Sequence, residues 1–150
     1  MPTRRALALL LATLWLWPAS LQAQSEALME ARRQGQALYE AGRYEQAIPF
    51  WRKALELGER KFGPDHSNTA LLLNNLAELY RAQGRYEAAE PLFKRALVVL
   101  EKALGPEHPN VGQTLENYAA LLRETERGRE AATMEARATA IRARDAGENP

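Results

Sequence analysis

The sequence predicts an all-α fold, an α-solenoid of three stacked helix-turn-helix units behind an N-terminal leader. Three observations predict it. Glu, Ala, Leu and Arg dominate while Ile and Val are scarce, a composition that favours helix over strand. The chain is similar to itself at a spacing of 42 residues, the mark of a repeat architecture. Within the units, apolar residues recur at helical spacing. Hydrophobic residues make up 46% of the 150, enough for a packed core.

The leader comes first. Met1–Arg5 is short and basic, Ala6–Trp17 is apolar apart from Thr13, and Pro18 opens into the small and polar stretch Ala19–Ser25. That is the three-part layout of a secretory signal peptide. Cleavage fits after Ala23 or after Ser25. The apolar run is about 12 residues, short of the ~20 that an uncleaved spanning anchor needs. Residues 1–25 are therefore expected to be removed, and the chain to be exported to the periplasm or secreted, with no membrane insertion afterwards.

The three units are expected at about 26–62, 67–104 and 109–144, with 147–150 as a frayed tail. Helices fall near 26–41, 44–60, 67–82, 86–103, 109–125 and 128–144. In the second unit Leu73, Leu76, Ala77 and Tyr80 make one apolar stripe. Gly84 then breaks the pattern and suits a turn with positive φ. The following helix carries Ala89, Phe93, Ala96, Leu97 and Leu100 on one face. The first unit matches with Gly42, Tyr44, Ala47, Trp51, Ala54 and Leu55. Pro49 and Pro91 share a phase inside the second helix of each pair, which predicts a recurrent bend rather than a helix end. In the third unit Glu126 replaces the turn glycine, Gly128 the tyrosine and Glu135 the core aromatic. This reads as a polar C-terminal cap, which a solenoid needs for solubility.

The connectors GPDHSNTA (63–70) and GPEHPNVG (105–112) also repeat. Pro109 suits a first helical turn, and Ser67 in the equivalent place is a candidate cap. His66 and His108 are the only histidines and recur at this phase beside Asp65 and Glu107. Zinc requires three or four converging ligands, and no third strong ligand is in phase. A connector or capping role is expected and no metal. There is no cysteine, and no Ser-His-Asp order, phosphate loop or HExxH, so neither an enzyme nor a cofactor is expected. Lys plus Arg total 20 and Asp plus Glu 19, interspersed, without the basic stripe that nucleic acid requires.

The run NLAELYRAQGRYEAAEPLFKRAL (75–97) resembles a tetratricopeptide repeat. The period is longer than the usual ~34. Together with the connector LGPEHPNV, it resembles the extended repeats of the kinesin light chain family, over roughly residues 28–142.

The resemblance implies that the first helix of each pair lines a concave groove while the second faces outward. By phase, the groove residues are Arg32, Arg33, Gln36 and Tyr39, then Asn74, Asn75, Glu78 and Arg81, then Gln113, Glu116, Asn117, Ala120 and Arg123. Asn75 and Asn117 share a phase where the family often has asparagine, whose amide both donates to and accepts from an extended peptide backbone. Arg32, Arg81 and Arg123 are candidates for pairing with an acidic partner. The places matching a carboxylate clamp hold Arg32, Gln36, Asn75, Gln113 and Asn117, with one cation, which argues against such a clamp. The expected function is a non-catalytic protein-protein interaction module that binds a partner peptide or protein. The alternative is a self-associating or end-docking structural subunit of an envelope assembly, with Tyr39, Phe50 and Trp51 as docking residues.

Overall fold

The structure, a computed structural model, describes residues 4–147, with side chains from Leu21 onward. Six helices follow one another: α1 (Arg4–Glu40), α2 (Tyr44–Phe62), α3 (Ser67–Ala82), α4 (Tyr86–Leu104), α5 (Pro109–Glu124) and α6 (Gly128–Asp145). They form three antiparallel hairpins, α1–α2, α3–α4 and α5–α6, each stacked on the next. The predicted elements correspond one to one with these helices, within two residues at every end but one. α1 begins at Arg4 instead of near residue 26, because nothing in 21–25 stops a helix that the helix-forming residues around it propagate. Only residues 21–25 of the expected leader have described side chains, and the expected tail lies outside the described residues except for Gly147. Among the described residues, no helix is long and apolar enough to cross a membrane.

The hairpin turns share one geometry. Arg43 N–H reaches back to Leu38 O (2.8 Å) and Gly42 N–H to Tyr39 O (2.9 Å), and the pattern recurs at Arg85/Tyr80 with Gly84/Arg81 and at Arg127/Leu122 with Glu126/Arg123. This is the Schellman arrangement, which needs a left-handed residue after the helix. Gly84 supplies it as expected, at φ 71°. In the third turn Glu126 adopts φ 61° despite its side chain, at a cost of about 1–2 kcal/mol that glycine does not incur.

The connectors cap α3 and α5 through their histidines. His66 Nδ1 accepts the N–H of Asn68, and His108 Nδ1 that of Asn110, both at 3.1 Å. The imidazole thus takes the role suggested for Ser67, which is the first residue inside the helix. Both α2 and α4 run through their prolines without ending.

The core confirms the small-and-large logic. Ala77, Ala89, Ala96 and Phe93 are fully buried. One correction concerns α3. It has two apolar faces, not one stripe: Leu73, Ala70 and Ala77 join the core of the second and third hairpins, while Leu72, Leu76 and Leu79 join that of the first. A central helix of a stack touches neighbours on both sides, so a single stripe cannot serve it. Trp51 is a second correction. It is 4% exposed and not available for docking.

Candidate functional site

The hollows on the first-helix side are concentrated between α1 and α3. A cavity of about 440 Å³ is lined by Met29, Arg32, Arg33, Gln36, Trp51 and Asn75. A smaller one of about 100 Å³ adjoins it, bounded by Gln36, Tyr39, Trp51, Asn75 and Glu78. A third, of about 140 Å³, continues past Arg32 and Asn75 to Phe62 and Leu71. Asn75 borders all three. Six expected groove residues, Arg32, Arg33, Gln36, Tyr39, Asn75 and Glu78, therefore meet in one cleft.

The floor of this cleft is Trp51, which sequence reasoning did not place there. Its indole lies against Gly35, where a Cβ would come within 2.8 Å of Nε1. The signal was present: Gly35 stands at the phase of Ala77 and Ala119, and only the position facing the larger indole has lost even its methyl group. Met29, 69% exposed, forms an apolar wall at the mouth. Burial pushes the Tyr39 hydroxyl pKa up, and the nearby Glu78 carboxylate adds to the effect.

The other seven lie elsewhere, Glu116 paired with Arg142 and Ala120 half-buried on α5 among them. Asn74 is buried and bonded into the seam between α3 and α5, not turned to the groove. Gln113 Nε2 donates to Asn117 Oδ1 (3.2 Å), Asn117 Nδ2 to Asn74 Oδ1 (3.2 Å), and Asn74 Nδ2 to Asn75 Oδ1 (3.5 Å). The chain of amides ends on Asn75, whose Nδ2 has no hydrogen-bond acceptor among the described residues. Arg81 donates to Glu78 through Nε (3.0 Å) and bridges to Glu124 on α5. Its hydrogen bonds to Glu78 come first in holding it protonated. Arg123 pairs with Glu135. Of the three arginines expected to meet an acidic partner, Arg32 alone lacks an ion pair among the described residues.

The second junction is also pinned beneath the groove. Glu90 accepts from the Tyr118 hydroxyl and from Arg127, each at 2.9 Å. The Lys94 ammonium, followed by Arg127 and Tyr118, lowers the Glu90 carboxyl to about 2 against the partial opposition of burial. Among the described residues, no three His, Cys, Asp or Glu side chains cluster as a metal site would require, and both histidines are used as caps.

The tetratricopeptide repeat family model matches residues 25–102 and 70–144. Among solved structures, BtubC (BKLC) from P. vanneervenii superimposes with a TM-score of 0.73 at 25% identity, over 82% of this chain and 49% of that one. A Podosopora anserina chain with nearly identical kinesin light chain TPR-like repeats gives 0.65 at 22% identity, over 84% and 56%. The chain thus spans about half the length of these structures. No curated protein sequence matches it. Matched over most of its length and built from hairpins of the right geometry, the chain belongs to the tetratricopeptide repeat family, with repeats resembling those of kinesin light chains.

Proposed function

We propose that the chain is a non-catalytic binding module that holds an extended segment of a partner protein in the cleft between α1 and α3. One observation carries this. Arg32 and Asn75 stand, one period earlier, where Asn74 and Asn117 stand at the next junction. The later pair is closed by a hydrogen bond, whereas the earlier pair is separated by a cavity. Asn75 Nδ2 and the Arg32 guanidinium both donate, so the occupant presents backbone carbonyls or a carboxylate to them. Met29 and Tyr39 supply apolar contact for its side chains.

The test is a random peptide library displayed and selected against the protein. Binders should emerge, and the Arg32→Ala, Asn75→Ala double variant should bind them about tenfold or more weakly, the loss of one or two charge-assisted hydrogen bonds. Unchanged binding by a variant with the wild-type helical spectrum overturns the assignment.

The proposal includes export, supported by the three-part leader in residues 1–25. N-terminal sequencing of the protein recovered from the cell envelope or medium should begin at Gln24 or Glu26. An intact Met1 refutes cleavage.

A further inference from the structure

The repeat sets residues of the two ends of the stack at matching phases. Moving a pair of positions that meet between adjacent hairpins forward by 42 residues gives the positions of the same phase at the next junction. Inside the molecule equivalent apolar positions are buried at both junctions, while polar pairs change with the residues that occupy them, as Arg32 and Asn75 are parted where Asn74 and Asn117 bond. Leu72 packs on Gly58, and one period later Thr114 and Leu100 are both buried to 1% or less. The rings of Phe93 and Tyr118 stack at 5.9 Å, and one period earlier Trp51 and Leu76 share a core.

Carried past α6, the same contacts fall between the last hairpin of one copy and α1 of the next. The Asn74–Asn117 bond becomes Glu116 facing Arg33 of a second copy. The Arg81–Glu124 ion pair becomes Arg123 facing Glu40. Leu72 on Gly58 becomes Glu30 on Arg142. The Phe93–Tyr118 stack becomes Glu135 beside Gln34. Three of the four juxtapositions are opposite charges, and the fourth sets a carboxylate against an amide donor. All eight residues are exposed or half-buried. In the single chain these charges pair within their own end: Arg33 with Glu30 (2.7 Å), Arg123 with Glu135 (2.5 Å), and Arg142 with Glu116.

Among the described residues nothing covers α6 where α3 covers α2 and α5 covers α4. A hollow of about 180 Å³ remains there, bordered by Gly112, Glu116, Ala138, Ile141 and Arg142. We propose that this end face receives α1 of a second copy, so that copies stack head to tail and continue the solenoid. The contact is heterologous and leaves a free end at each side, so it forms open chains of copies and not a closed two-fold dimer. It requires nothing of the groove. Because the pairs are solvent-exposed, the association is weak and salt-sensitive.

Sedimentation velocity on the full chain tests this. The wild type should associate with rising concentration and dissociate with added salt. Arg123→Glu with Arg142→Glu, and separately Glu30→Arg with Glu40→Arg, should each weaken association about tenfold or more while keeping the helical spectrum. An equal mixture of the two variants should associate again, because every junction between unlike copies is then complementary. A wild type that stays monomeric overturns the proposal. So does association that ignores salt and both charge reversals, which would mark the apolar leader as its cause. Variants that associate alone as well as mixed also exclude this geometry.

Discussion

The two junctions of the stack are made from the same repeat and differ in how their groove sides are finished. Between the first and second hairpins, Leu72, Leu76 and Leu79 form an apolar seam with Trp51 and Leu57, and α1 and α3 are separated by open cavities. Between the second and third, the amide chain from Gln113 to Asn75 and the Arg81–Glu124 pair join α3 to α5. A few side chains at equivalent phases therefore decide whether a junction is a cleft or a closed wall. The backbone repeats, but the open cleft does not.

The largest effect that breaks this comparison is at Phe93, which is fully buried and stacks on Tyr118 across the closed junction. Phe93→Ala should cost about 3–5 kcal/mol in chemical denaturation. A loss below about 1 kcal/mol would mean that the second junction does not depend on its aromatic seam.

Next in size is the contrast between adjacent asparagines. Asn74→Ala leaves the buried end of Asn117 without its acceptor and should destabilise by about 1–3 kcal/mol. Asn75→Ala, at the cleft, should change stability by no more than about 0.5 kcal/mol. Equal losses would erase the distinction between an amide buried in the seam and one that borders the cleft.

The smallest effect is read with pH. Glu90 titrates at about 2 in the folded chain against an ordinary 4.5, so its contribution is present above 4.5 and is lost as the pH falls toward 2. Glu90→Gln should lower stability by about 1 kcal/mol or less at neutral pH and flatten the acid limb of the stability curve in that window. An acid limb identical to that of the wild type would show that the Glu90 contacts add nothing.

Much of the fold was legible because its signals are local. Gly42, Gly84 and the repeated connectors mark where helices stop and start, and the alanines at Ala77, Ala89 and Ala96 mark close packing. What escaped depends on neighbours. A helix periodicity shows that α3 has an apolar face but not that it is pressed from two sides, so Asn74 looked like a groove residue. The engagement of Arg123 is hidden because Glu135 lies 12 residues away, and that of Arg81 in part because Glu124 lies 43 away, although its other partner, Glu78, is three residues back on the same helix. His66 and His108 were correctly drawn toward capping, since two histidines at one phase lacked a third ligand.

Glu126 has a wider consequence. The strained turn leads into an outer helix that buries only Ala131, Ala138 and Ile141, against six buried residues each in α2 and α4, so α6 is the least anchored of the three outer helices. In a linear array, where each unit leans only on its neighbours, unravelling starts at the weakest terminus. Amide protons of α6 should exchange with solvent ahead of those of α3, and the cleft beside Asn75 would outlive the loss of the hairpin at the far end.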